Sequence, residues 1–295
     1  MWTTANRPKY NRDKLRYPSD LTGEEWAHIE ALIPAAKHGG RKRKVDVREV
    51  VNGRSKLYKQ RLRRVMYVLS TGCQWRYLPK DLPPKSTLYD YFDLWTYDGT
   101  LENIHHALYV KCREQIGREA SPAAAIIDRK TREKRRKRGR CIDPPCYDAG
   151  KKINGKKRHI LVDTLGLLLH AIVHPADIQD RPFDELRRRH ARSLDPVRHM
   201  YPFLQKLFAD GGHQGPVFQK ALAKALPHLE IEIVKRPDHA KGFEVLPQRW
   251  VVERPFAWFN RCRRLAKDFE NLTRNALAFL RLASIRLMLR KLCNQ

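Results

Sequence analysis

The chain predicts a mixed-sheet α/β domain preceded by a small helical domain, and three observations carry that reading. Up to about residue 115, apolar residues recur at helical spacing. From Ser121 onward short apolar runs alternate with amphipathic ones. Lys157 to Val173 holds two apolar stretches around an Asp163-Thr-Leu-Gly166 turn, which is a hairpin signal.

Residues 1–16 are polar and basic and read as a frayed arm. A first helix follows Thr22, an N-cap with Glu25 as its capping-box partner, and carries Trp26, Ile29, Leu32 and Ile33 at helical spacing. Gly39 to Lys44 is a basic loop. A second helix begins within Val45 to Asn52 and ends at Gly72, a residue suited to a C-cap because it tolerates positive φ. Pro79, Pro83 and Pro84 mark a turn, and Ser86 caps an aromatic-rich helix that runs to Trp95. Residues 17–115 thus form a helical domain. Its periodicity fits a helix-turn-helix-like DNA reader, with Ser86, Thr87 and Tyr89 as candidate DNA contacts, and equally an ordinary small bundle.

In residues 120–292, Ala123 to Asp128 reads as a short buried strand with a carboxylate at its C-terminal edge. After the hairpin come a strand from Leu204 to Asp210, an amphipathic helix from Pro216 to Leu226, and a strand from Leu229 to Val234 with period-two alternation. Three helical segments close the chain, the last rich in Leu and Ala from Asn275 to Leu292. This order is that of a ribonuclease H-like mixed sheet, in which carboxylates from the first strand, the fourth strand and a following helix meet at one edge.

Sixty Lys and Arg against 32 Asp and Glu give 295 residues a formal net charge of +28. Such a balance points to a polyanionic partner, nucleic acid first, because neutralising phosphates releases condensed counterions. The charge is concentrated. Residues 54–64, 129–140 and 181–199 hold 21 basic and 4 acidic residues, so much of the excess lies in segments that also fit solvated loops. No window approaches a membrane span and no signal peptide precedes Tyr17, so the expected setting is cytoplasmic, on nucleoid DNA. The six cysteines are scattered, lack zinc-site spacing, and read as free thiols.

Asp128, Asp210 and Glu253 are the candidate metal ligands. Each stands at the end or start of a different segment, and three convergent carboxylates suit hard divalent cations. Two such ions can activate a water and stabilise the leaving oxygen of a phosphodiester. Arg249 and Glu253 are four residues apart and share one helix face with Phe256. Arg261, Arg263, Arg264 and Lys267 follow as candidate phosphate contacts. Core packing is the expected role of Trp250 and Trp258.

Several long runs, in order, resemble DDE transposases of bacterial insertion sequences, of the insertion-sequence-five type. They are Gly72-Cys-Gln-Trp-Arg-Tyr-Leu-Pro, Tyr147 to Leu167, Ala209-Asp-Gly-Gly, Arg249-Trp-Val-Val-Glu-Arg-Pro-Phe-Ala-Trp, and Arg261 to Glu270. The resemblance implies that Asp128, Asp210 and Glu253 are the catalytic triad, with Arg249 a basic residue one turn before the last. It further implies two Mg²⁺ (Mn²⁺ in their stead), hydrolysis at the transposon end of double-stranded DNA, joining of the freed 3′ hydroxyl to target DNA, and a homo-oligomer on the DNA.

The three basic stretches are also where the chain departs from the family pattern. After the first acid the family has small polar residues and this chain has Arg129-Lys-Thr, so Lys130 shares a strand face with Asp128 and sets an ammonium beside the metal ligands. Arg181 to His199, with Pro182 and Pro196, replaces an apolar helix, and His213 stands where the family usually has Tyr. Abrupt Arg-rich segments between good matches are what local frame shifts produce. Two other functions therefore stand beside transposition: a catalytically impaired remnant that only binds DNA, and a metal-dependent nuclease without strand transfer.

Overall fold

Ile153–Asp163, the longest strand among the described residues, pairs directly with three of the other five strands of the sheet. A computed structural model of the chain describes residues 10–34, 65–82, 84–135, 142–143, 146–176, 199–210, 228–234 and 250–294. Its described helices are α1 (Gly23–Ala27), α2 (Val65–Thr71), α3 (Lys85–Tyr97), α4 (Thr100–Glu114), α5 (Trp250–Asn260), α6 (Arg263–Ala266) and α7 (Thr273–Cys293). The strands are β1 (Ala124–Glu133), β2 (Cys146–Asp148), β3 (Ile153–Asp163), β4 (Leu168–Pro175), β5 (Lys206–Asp210) and β6 (Glu230–Val234).

The strands form one mixed sheet in the order β2-β3-β1-β5-β6, with β4 also paired to β3. β1, β3 and β4 are antiparallel neighbours, whereas β1, β5 and β6 run parallel. The sheet agrees with the expected mixed α/β domain. The predicted hairpin is β3–β4. Asp163, fully buried, accepts the backbone N–H groups of Leu165 and Leu167 at 2.9 Å, and Gly166 takes φ +78°. An added Cβ at Gly166 would stand 3.4 Å from the Val251 carbonyl and 3.5 Å from Pro255, so this turn lies directly against α5.

The chain divides into two compact units. One comprises residues 1–115, 261–265 and 278–295; the other comprises 116–260 and 266–277. The first is helical. Leu69, Leu88, Phe92, Leu108, Phe279, Met288 and Leu289 form its buried centre, and Phe92 packs on Phe279 at 4.8 Å between ring centroids. The C-terminal part of α7 is thus needed to cover α3 and α4, which is why residues assigned by sequence to the second domain group with the first.

Several local expectations meet the structure differently. Residues 10–16 are tied down, because Arg12 donates to the Asp20 carbonyl at 2.6 Å and to both oxygens of Glu25. The Thr22–Glu25 capping box is present, with Thr22 N–H donating to Glu25 at 2.8 Å and Glu25 N–H to Thr22 at 3.2 Å. The α-helix it starts is short, ending at Ala27, and a 3₁₀ turn at Glu30–Leu32 follows. Gly72 has φ +70° and its N–H donates to the Val68 carbonyl at 2.9 Å, closing α2. Ser86 is not a cap: α3 begins at Lys85 with Pro84 before it, and no side chain caps its first turn. The loop 39–44, the helix start at 45–52, the stretch 54–64, the helix 216–226, His213 and residues 181–198 lie outside the described residues.

Candidate functional site

Ala125, Ile126 and Ile127 are buried apolar residues that drive β1 into the middle of the sheet, and the half-buried Asp128 comes next. One carboxylate oxygen of Asp128 accepts the Arg129 N–H at 2.6 Å. The sequence predicts a strand that ends at Asp128, but β1 continues to Glu133. Arg129 to Glu133 continue the antiparallel ladder from His159 to Gly155, so Asp128 sits mid-strand. The extension forms because β3 offers unpaired backbone opposite it, even though these five residues have no apolar alternation.

Asp210 closes β5 beside it. The parallel ladder pairs Ala124 with Lys206, Ala125 with Leu207 and Ile126 with Phe208. Carried two residues further, the same register sets Asp128 level with Asp210. Level residues on neighbouring strands share a sheet face, with strands about 4.8 Å apart. The sequence interval between these two acids is therefore the register offset of the two strands.

Glu253 lies exposed on α5, a helix held over this sheet face by its buried residues Val251, Val252, Pro255, Phe256 and Phe259. Two contacts fix its course along β1. The Lys130 ammonium lies 5.0 Å from the Phe256 ring centroid, and Arg132 donates to the Asn260 side-chain carbonyl. Four helical residues rise about 6 Å and two strand residues about 6.6 Å, so helix and strand advance in step. Glu253 is one turn before Phe256 on the same side of the helix, which leads back from Lys130 toward Asp128. Among the described residues, no three His, Cys, Asp or Glu side chains close into a group that could hold a metal ion. The β1–β5 register, extended, puts Asp128 and Asp210 level on neighbouring strands, Glu253 lies on α5, and no cage is assembled among the described residues.

Basic groups crowd the same face. Arg158 is directly opposite Lys130, and Lys156 opposite Arg132. Both are buried; Arg158 donates to the Lys267 carbonyl and Lys156 to the Asn271 carbonyl, each at 3.4 Å. Burial, with the neighbouring Arg132 charge, lowers the Arg158 guanidinium to about 10, opposed by Asp268 and Glu270. Burial lowers Arg132 as well. The sequence reading missed this layer because Lys156 and Arg158 carry charges that a local pattern assigns to solvent, and only the fold shows their contacts with the Lys267 and Asn271 carbonyls.

The remaining predicted residues separate. α5 stops at Asn260, so Arg261 to Lys267 do not extend its face. Arg261 and Arg263 are exposed. Arg264 is buried, donates to the Cys73 carbonyl at 3.0 Å and rests over Phe279, so it packs the helical unit where sequence predicted a phosphate contact. Lys267 pairs with Glu133 at 2.6 Å, a hydrogen bond that holds the Glu133 carboxyl below its ordinary range. Ser86 is exposed, Thr87 is half-buried, and Tyr89, 37% exposed, packs edge-on against Trp75. Trp250 is 46% exposed, against the expectation of core packing, and the Arg254 guanidinium covers its ring at 4.2 Å. Arg249 lies outside the described residues. Cys73, Cys112, Cys146, Cys262 and Cys293 are free thiols, and Cys141 lies outside the described residues.

Residues 119–288 match the family described as Transposase DDE domain. Residues 21–105 match a family described as a candidate transposase of IS4/5 family. A relative from Burkholderia cepacia, described as a candidate transposase for insertion sequence element IS402, is 31% identical over 137 residues. That match covers 43% of this chain and 60% of the relative, so the chain spans about three fifths of the relative's length.

Proposed function

Since the chain belongs to the transposase DDE domain family, whose match covers residues 119–288, we propose that it cleaves the ends of an insertion sequence and joins the freed 3′ hydroxyl to target DNA. What supports this reading is the parallel β1–β5 register, which ends at Ile126–Phe208 and, extended by two residues, would bring Asp128 level with Asp210, together with Glu253 on the neighbouring helix α5. Three carboxylates form a hard-oxygen donor set, and Asp128, Asp210 and Glu253 would hold divalent cations, Mg²⁺ or Mn²⁺. Bound there, two such ions would supply Lewis-acid stabilisation to the attacking and leaving oxygens of the phosphodiester.

The chain's own residues do the rest. Exposed Arg261 and Arg263 bind DNA phosphates, and Arg249 and Lys267 are further candidates. Ser86, Thr87 and Tyr89, in the first turns of α3, contact the element's ends, with α3 and α4 acting as a helix-turn-helix-like pair joined through Gly99 at φ +81°. The formal charge of +28 supports a double-stranded DNA partner. The working species is a homo-oligomer on DNA in the cytoplasm. Among the described residues no helix is long and apolar enough to cross a membrane.

The test is Mg²⁺-dependent cleavage and joining on a duplex that carries the element's ends. The parent should cut and join, chelation should stop both, and Asp128→Ala, Asp210→Ala or Glu253→Ala should each lower the rate by at least about 10³-fold. Binding without cutting by the parent would reduce the protein to a DNA-binding remnant. Cutting without joining would make it a nuclease.

A further inference from the structure

We infer that Lys130 is a phosphate-positioning residue of this site, holding a backbone phosphate of the bound strand next to the scissile one. The inference rests on the cleavage reading above and adds a residue to it. Lys130 follows Asp128 by two residues on β1, so both leave the strand on the same face, about 6.6 Å apart.

The four cations on this face have different partners, and Lys156 donates to the Asn271 carbonyl. Arg132 gives its guanidinium to Asn260, and Arg158 donates to the Lys267 carbonyl. The Lys130 ammonium lies over the Phe256 ring, one helical turn beyond Glu253, with no carboxylate at ion-pairing distance among the described residues. Lys130 is half-buried, so part of the side chain packs and part stays accessible. An aromatic face orients an ammonium without neutralising it, which leaves three donors for an anion.

Two other roles fit the same contact and give different results. The ammonium could stand in for a divalent cation, or the lysine could serve only to pack Phe256. The experiment uses the full chain, an end-bearing duplex, and Lys130→Ala and Lys130→Arg beside the parent. Binding is measured without divalent metal across a salt series, and cleavage across a Mg²⁺ series. Lys130→Ala should weaken binding about tenfold at low salt and reduce the slope of log K against log salt by about 1. It should also raise KM more than it changes kcat, leave the Mg²⁺ midpoint unchanged, and be rescued by Lys130→Arg.

Unchanged affinity and slope would overturn the inference. So would a lower Mg²⁺ requirement in Lys130→Ala, which would mean that the ammonium occupies a cation's position. A lowered melting temperature with an unchanged salt slope would reduce the lysine to packing. If the parent does not cut, the cleavage reading falls, and the metal-free salt slope still decides whether Lys130 meets a phosphate.

Discussion

Arg261 and Arg264, three residues apart, meet opposite surroundings. Arg264 is 7% exposed, bonded to a backbone carbonyl and laid over Phe279, whereas Arg261 is in solvent. Removing a buried charged donor leaves the Cys73 carbonyl without that bond and a gap beside the aromatic ring. Arg264→Ala should therefore cost about 2 kcal/mol in a urea unfolding experiment. Arg261→Ala and Arg263→Ala should stay within about 0.5 kcal/mol of the parent, and each should lower the salt slope of DNA binding by about 1. Weaker DNA binding by Arg264→Ala at parental stability would contradict this division. Nothing in the local sequence separates the two arginines. The difference comes from the end of α5 at Asn260 and from the packing of Cys73, some 190 residues earlier in the chain.

At the scale of elements, the two helix starts read from sequence carry different weight. Thr22 and Glu25 satisfy each other's backbone N–H groups, and Glu25 is also held by Arg12. Ser86 lies inside the first turn of α3, exposed and making no cap bond. Thr22→Ala should cost about 1 kcal/mol and Ser86→Ala less than about 0.5 kcal/mol in the same unfolding assay. Equal losses would mean that Ser86 has a stabilising role the first turn of α3 does not show. The signals that were legible are the local ones: the Asp163–Gly166 turn, the capping box, Gly72, and the alternation of β6. The β1 extension was not legible, because Arg129 to Glu133 become a strand only through the backbone that β3 presents to them. For the candidate site, sequence put Asp128 and Asp210 at the C-terminal edges of two strands, which is where β5 ends but not where β1 does, and Glu253 in a helix. It also showed that Lys130 shares Asp128's face. That the Lys130 ammonium rests on Phe256 depended on the course of α5 over β1, which no local pattern encodes.

For the whole molecule, the consequential feature is that the chain returns to its first unit at the end. Residues 278–295 belong with residues 1–115, and the ties are specific. His105 bonds Ser284 at 3.0 Å, Arg281 pairs with Glu102 at 2.6 Å, Gln115 donates to the Leu292 carbonyl at 3.2 Å, and Phe279 fills the space against Phe92 and Trp75. Without α7, Leu69, Leu88, Phe92 and Leu108 lose part of their cover, and each large apolar side chain returned to water costs about 1.5 to 3 kcal/mol. That loss is comparable to the whole stability of a small domain. Residues 1–115 expressed alone should therefore bind a hydrophobic dye and melt without a cooperative transition. The same segment joined by a flexible linker to 261–295 should melt cooperatively. A sharp transition in 1–115 alone would show that the helical unit closes its own core, and α7 would then serve only to connect the two units. If the fragment fails as expected, the proposed DNA binding by the helical unit cannot be separated by truncation from the C-terminal helix, and a chain cut before residue 278 would lose end recognition while keeping α5, the helix that bears Glu253.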